Sequence, residues 1–269
     1  MKGKQDAAFD CLNQYYQNYD EEGRLLSPHG QVEYQTTMRY ITESLQPGMR
    51  ILEVGAGTGR YSHALARLGY EVEAIEYIPH NLELLLQNTQ PGEKLSAHQG
   101  TATDLSRYPE NAFDRTLLLG PMYHLFTEEE KQSALKEAVR VTRPGGLLFV
   151  SYCQSDASIL CFGFQKGLVK KLLEDKLLDP ETFTARSTPK ELFVLHRKAD
   201  VERMTAPLAV TRLHYVGTDM ATQYMRETVD AMDEETFSLY LRYHFSICER
   251  PDLIGASHHA LDILKKNIQ

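Results

Sequence analysis

Residues 51–61 read Ile-Leu-Glu-Val-Gly-Ala-Gly-Thr-Gly-Arg-Tyr, an apolar run that ends in Gly55-x-Gly57-x-Gly59 and passes directly into a helical pattern. Glycine permits the tight turn and lets backbone N–H groups come close to a ligand where a side chain would clash. With a strand before it and a helix after it, such a loop has the setting of a nucleotide site. The dinucleotide fingerprint GxGxxG needs glycine at position 60, where Arg60 stands. This disfavours a nicotinamide oxidoreductase. Glu76 closes the next apolar run about twenty residues on, where a carboxylate can accept both hydroxyls of an adenosine ribose. Its alternative is an ordinary solvated acid at a strand end.

Glu53, Gly55, Gly57 and Gly59 match (D/E)xGxGxG without a gap, and here the sequence resembles the class I S-adenosylmethionine (SAM)-dependent methyltransferases. The resemblance is firm over roughly residues 45–155 and looser over the rest. It implies SAM as cofactor, held by Glu53, Gly55, Ala56, Gly57, Gly59, Glu76 and the neighbouring Tyr77. Gly100-Thr101-Ala102-Thr103-Asp104 is similar to the family's adenine-reading segment. Thr101 stands where an aspartate is common, Ala102 can offer its backbone N–H, and Asp104 is the fallback. Leu119 ends the fourth strand, and Pro121-Met122-Tyr123-His124-Leu125 follows in the loop that the family places between cofactor and acceptor. The Asn/Asp-Pro-Pro-Tyr motif of nucleobase and glutamine N-methyltransferases is missing, which points to a small-molecule acceptor. Similar N-terminal segments fold over the methionine end of SAM. By that likeness Tyr16 or Tyr19 contacts the SAM carboxylate with Arg24 providing charge, Tyr19 being assigned to the cofactor and Tyr16 and Arg24, with Tyr123 and His124 of the loop after the fourth strand, to the acceptor; the alternative is that these tyrosines only pack a cap.

Methyl transfer from a sulfonium is an in-line displacement on an already activated carbon, so alignment and desolvation are the main tasks and no metal is required. A base matters only where the acceptor must lose a proton. His124 is the candidate, because an ordinary imidazole titrates near pH 6.5 (approximately); its alternative is to cap or pack the following loop. Two rivals remain: an aminopropyl transferase using decarboxylated SAM, whose acidic polyamine-binding pattern is not recognisable here, and a SAM-binding regulatory protein without turnover.

Composition narrows the partners. A net charge of -8 over 269 residues opposes the basic footprint of a nucleic-acid-tracking protein. No run approaches the roughly 20 apolar residues that span a bilayer, and the first residues lack the apolar core of a secretory signal, so a cytoplasmic protein is expected. Cys11, Cys153, Cys161 and Cys248 are scattered without a CxxC pair, which signals neither disulfides nor a zinc site. Oligomeric state is not readable.

The elements that must position these residues follow from the hydrophobic period. Strands are expected over 50–54, 71–76, 94–99, 113–120, 146–152, 209–215 and 259–265, with helices over 61–68, 81–87 and 128–141 between them. Arg143-Pro144-Gly145-Gly146 reads as a helix stop, and Ser187-Thr188-Pro189-Lys190-Glu191 as a helix start. The expected architecture is α/β: a Rossmann-like, seven-stranded, mostly parallel sheet with helices on both faces and a helical cap. Residues 1–48 supply an N-terminal cap segment, 49–154 the SAM-binding core, and 155–269 the late strands, with helical lid insertions near 155–185 and 218–256.

Overall fold

The computed structural model describes residues 2–268, with side chains from Ala8 onward. Two helices precede the sheet, α1 (Lys2–Asn18) and α2 (Pro28–Glu43). The sheet alternates with helices as β1 (Arg50–Val54), α3 (Arg60–Arg67), β2 (Glu71–Glu76), α4 (Pro79–Asn88), β3 (Leu95–Gln99), β4 (Phe113–Leu118), α5 (Glu128–Val141) and β5 (Thr142–Gln154). Seven strands lie in the order β3-β2-β1-β4-β5-β8-β7, where β7 is Val210–Gly217 and β8 is His259–Lys266. An eighth, β6 (Leu195–His196), pairs only with the end of β5. All pairings are parallel except those of β8, which runs antiparallel to both neighbours.

The two faces follow from period-2 alternation. Ile51, Leu117 and Phe149 pack with Ile41 of α2 and Tyr61 and Leu65 of α3. Leu52, Leu118 and Val150 face Ala134, Leu135 and Ala138 of α5. Helix α5 starts on a capping box: Glu130 N–H donates to Thr127 Oγ1 (3.2 Å), and Thr127 N–H to Glu130 Oε2 (3.0 Å). This ends the loop after β4 abruptly and fixes it beside the glycine loop.

The later insertions are α6 (Ser155–Ser158), a π-helical turn (Ile159–Gln165) and α7 (Val169–Glu174), then, beyond α8 (Lys198–Thr205) and β7, α9 (Arg226–Asp230) and α10 (Glu234–Ile247). Among the described residues no helix is long and apolar enough to cross a membrane.

Two expectations are corrected. Helix α5 ends at Val141 as expected, but β5 starts at Thr142 rather than 146: Thr142 already pairs with Phe113, and the ladder resumes at Leu147 opposite Arg115, so the glycines are absorbed as an irregularity within the strand. No helix begins at Ser187. Glu191 folds back to accept from Thr188 N–H (2.8 Å), which closes an isolated turn, and Leu192 then has φ of 67°. Tertiary bonds override the cap signal: Leu192 C=O faces His124 Nδ1 (2.9 Å), and Val194 N–H donates to Tyr123 C=O (2.7 Å).

Gly59 caps α3 at φ of 90°, and a Cβ there would lie 2.7 Å from Leu85 Cγ and 2.8 Å from the His63 ring. Gly59→Ala is therefore expected to lower unfolding free energy by about 2–4 kcal/mol, combining left-handed strain with overpacking. Chemical denaturation checks it, and a loss under about 1 kcal/mol would mean that Leu85 and His63 yield freely.

Candidate functional site

The glycine loop is held from behind. Gly55 and Ala56 N–H both donate to Ile75 C=O (2.7 and 3.1 Å), Gly59 N–H to Ala56 C=O (2.9 Å), and Gly57 N–H to Glu76 Oε2 (2.8 Å). Gly55 has φ of 74°, and any Cβ would meet Pro121 at 2.8 Å, so its lack of a side chain lets the loop after β4 close over it. Four loop amides are thus already engaged. They do not form the open anion cradle that a pyrophosphate needs.

Glu76 also accepts from Ile78 N–H (2.8 Å) at Oε1. It is only 4% exposed, and burial pushes its carboxyl up to about 7 against the pull of these amides and Asn81. Glu53 is buried as well and pushed up to about 8, although Ser62 donates its hydroxyl to Oε2. Both line a slot along the loop, together with Glu21, Glu130, Arg24 and Arg60, so carboxyl groups outnumber guanidinium groups there.

Of the residues expected to hold the cofactor, Glu53, Gly55, Ala56, Gly57, Glu76, Tyr77, Thr101, Ala102 and Leu119 line this slot. Phe9 of α1 meets Tyr77 edge-on at 5.0 Å. Thr101 Oγ1 lies 3.1 Å from Thr103 Oγ1, inside the turn. Three expectations change. Gly59 does not reach the slot, because it packs α3 against Leu85 and His63. Tyr19, one residue beyond α1, stacks on Tyr15 at 4.9 Å and faces a different cavity. Asp104 lies outside the slot and accepts from Ser106 N–H (3.0 Å), a turn-capping role.

That second cavity, about 950 Å³, is lined by Tyr15, Tyr19, Phe162, Phe193 and Tyr224 among others, and is large enough for a sizeable organic molecule. Tyr16, Glu21, Arg24 and Tyr123 line both slot and cavity and form the wall between them. Arg24 donates from Nε to Glu21 (3.2 Å) and from Nη1 to Glu33 (3.0 Å), so its charge is shared by two carboxylates. Burial pushes the Glu21 carboxyl up, with Arg24 opposing.

His124 is brought to this wall but not with an ordinary pKa. A carbonyl oxygen can only accept, so Nδ1 carries the hydrogen donated to Leu192, and Nε2 accepts from the Tyr16 hydroxyl (3.0 Å). Burial pushes the imidazole down to about 4, so it is neutral at pH 7. The premise that His124 titrates near neutrality fails because the ring is enclosed between α1, the loop after β4 and residues 192–194.

Comparison with known proteins agrees with this geometry. Residues 52–150 match the family model described as a methyltransferase domain. Residues 52–150 thus carry a methyltransferase domain. The domain is similar to a ubiquinone biosynthesis O-methyltransferase of Xanthomonas axonopodis pv. citri, 28% identical over 116 residues, 42% of this chain and 47% of that one. It is 34% identical over 105 residues to a demethylmenaquinone methyltransferase of Renibacterium salmoninarum, 39% of this chain and 41% of that one. The chain thus spans about half the length of the curated relatives it matches. In fold, it superposes on a magnesium protoporphyrin IX methyltransferase from Synechocystis at a TM-score of 0.60 and 12% identity, covering 97% of this chain and 100% of that one.

Glutamates 21, 33, 191 and 227 and His259 in the walls were not singled out from sequence. Glu21 had a local signal, standing three residues before Arg24 within an aromatic cluster; His259 had none, since its partner Asp219 is 40 residues away.

A ligand whose hydroxyls donate to Glu76 favours its charged form and lowers its pKa on binding. Affinity for SAM should therefore weaken as pH falls below about 7, with protons released on binding there. Calorimetry in buffers of different ionisation enthalpy measures both; pH-independent affinity would contradict it. Glu76→Ala should cost about 2–3 kcal/mol of SAM binding, the scale of hydrogen bonds to a charged group.

Proposed function

We propose that this chain is a SAM-dependent methyltransferase acting on a small molecule, with SAM in the glycine-loop slot and the acceptor in the adjoining cavity. The observation that carries the reading is the bonding of the loop. Its amides are spent on Ile75, Ala56 and Glu76 rather than left for phosphate, while buried carboxylates line the slot. Such a surface disfavours a pyrophosphate and suits a cation bearing ribose hydroxyls.

SAM supplies a methyl group on a positively charged sulfur, which the acceptor's lone pair takes up as the C–S electrons return to sulfur. The chain's part is to exclude water and to align the two molecules across the wall of Tyr16, Glu21, Arg24 and Tyr123. His124 fixes the Tyr16 hydroxyl hydrogen toward itself, leaving the phenolic oxygen as an acceptor at the wall. Where the acceptor must lose a proton, Glu21 is better suited than His124 to take it, because burial raises the one and depresses the other. Aromatic lining of the cavity favours an acceptor with an aromatic or conjugated portion, as the names of the quinone-pathway relatives also suggest.

In this reading 49–154 is the SAM-binding core, and 1–48 with the insertions near 155–185 and 218–256 forms the cap. SAM and its demethylated product are expected to bind in the micromolar range, and NAD not. Calorimetry with each decides it, and tight NAD binding without SAM binding would overturn the reading. Incubation with labelled SAM and a panel of phenols, carboxylates, thiols and amines then tests turnover.

Tyr16→Phe and His124→Ala should each lower turnover of whichever acceptor is found by about tenfold or more, with SAM affinity nearly unchanged. Since the two act as one unit, the double variant should lose little more than either alone. Additive losses would separate the two residues.

A further inference from the structure

We propose that His259 reads the acceptor, presenting its Nε2–H into the 950 Å³ cavity as the hydrogen-bond donor for a carboxylate or phenolate oxygen. Calling the occupant the acceptor rests on the methyl-transfer reading; the anion site itself does not.

The topology delivers this residue. Ligands of open α/β sheets gather at the carboxyl ends of the parallel strands. Because β8 runs antiparallel, it brings its first residue, not its last, to that edge, where His259 pairs with Cys153 of β5. Both line the cavity.

The ring is gripped from one side. Asp219 is fully buried, and its Oδ1 accepts from Ser257 Oγ (2.7 Å), His258 N–H (2.7 Å) and His259 N–H (3.1 Å). Its Oδ2 lies 2.8 Å from His259 Nδ1, and Glu33 Oε2 lies 3.4 Å from the same nitrogen. Two carboxylates can only accept, so Nδ1 carries a hydrogen. Burial opposes charge on this ring, but Glu33 and Asp219 outweigh it and hold the imidazole protonated well above its ordinary range. Asp219 is correspondingly held far below the usual carboxylate range, against its own burial.

The opposite nitrogen, Nε2, has no partner among the described residues, and the side chain is 17% exposed where that of Asp219 is 0%. Of the other groups facing the ring, His258 is kept neutral, pushed down to about 4 by burial and by the His259 charge, and Arg24 is engaged by Glu21 and Glu33. Further out on the same cavity, Lys166 sits over the Phe162 ring at 4.3 Å and Arg226 donates to His29 (2.8 Å); neither pairs with a carboxylate among the described residues. Glu191 and Glu227 line the same cavity without a cation partner among the described residues, so the unpaired charges further out are two of each sign, and recognition of an anion rests on the Nε2 edge of His259 itself.

Asp219, His258 and His259 also bring three ligand-type atoms within 4.8 Å of one another. A metal ion would take the lone pair of a His259 ring nitrogen and so remove its proton, which the same experiment detects.

The test is ring-nitrogen NMR of the full-length chain labelled with ¹⁵N-histidine, with His259 assigned through His259→Gln and His259→Asn. Benzoate is titrated as the probe, with benzamide as its uncharged counterpart. Both ring nitrogens of His259 are expected to stay protonated at pH 8, and benzoate to shift the Nε2 signal saturably while benzamide binds at least about tenfold more weakly. Benzoate affinity should fall about tenfold or more in His259→Gln while SAM affinity holds. A ring that titrates near its ordinary value, a signal unmoved by benzoate, or equal benzoate binding by the variant would overturn the proposal, as would one equivalent of zinc replacing the proton of either ring nitrogen. The wild-type ring signals carry this test even if a variant is unstable. SAM failing to bind would instead sink the methyl-transfer reading and leave the anion site measured separately.

Discussion

A carboxylate buried at the end of a strand must be given donors, and Glu76 takes them from the backbone that turns around it. Gly57 N–H and Ile78 N–H each hold one of its oxygens, so the glycine loop after β1 and the start of α4 are tied to the same side chain. Ile75 C=O, one residue earlier, receives the two preceding loop amides. The loop's shape, the placing of the acid and the direction of α4 are therefore one arrangement. Its chemistry follows from the same cause: a site that spends its amides internally offers few donors to an anion, and its buried acids, pushed up to about 7 and 8, take on charge as donors or a cation arrive.

Around this fixed floor, the remaining walls come from segments distant in sequence. The end of α1 and the turn after it bring Tyr16, Glu21 and Arg24, the loop after β4 brings Tyr123 and His124, and residues 192–194 hold that loop through one backbone hydrogen bond, Val194 N–H to Tyr123 C=O, and one from the His124 ring to Leu192 C=O. The result divides one long opening into a slot and a cavity that share four side chains.

Charge runs continuously along the cavity side: Glu21, Arg24, Glu33, His259 and Asp219 alternate in sign, each within 4 Å of the next. Buried ions of this kind are tolerated when each has an opposite neighbour. The chain joins α2 to the first residue of β8 and so links the N-terminal cap to the far half of the sheet. Its last member, Asp219, is fully buried, and the Nε2 edge of His259 beside it is left without a partner among the described residues.

The sequence by itself determined the class of fold, because hydrophobic alternation and glycine placement are local properties. It also named the acids and glycines on the floor of the slot, since Glu53, Gly55, Gly57 and Glu76 are set by strand ends and a turn whose geometry is encoded within about twenty-five residues. Where a role depended on surroundings supplied from elsewhere, local reading failed. Gly59 looked like cradle and is packing; Tyr19 looked like cofactor contact and faces the cavity; His124 had an ordinary imidazole's promise until burial made it neutral and Leu192 fixed its tautomer. The helix start at Ser187 lost to the turn closed by Glu191 and to tertiary hydrogen bonds that engage Leu192 and Val194. His259 was invisible because nothing in its neighbourhood announces Asp219 or Glu33, and only the antiparallel course of β8 brings the three together. Dihedral preferences and periodicity act over a few residues; burial, pKa and the partners of a side chain are decided by contacts that exist only after the chain has closed on itself.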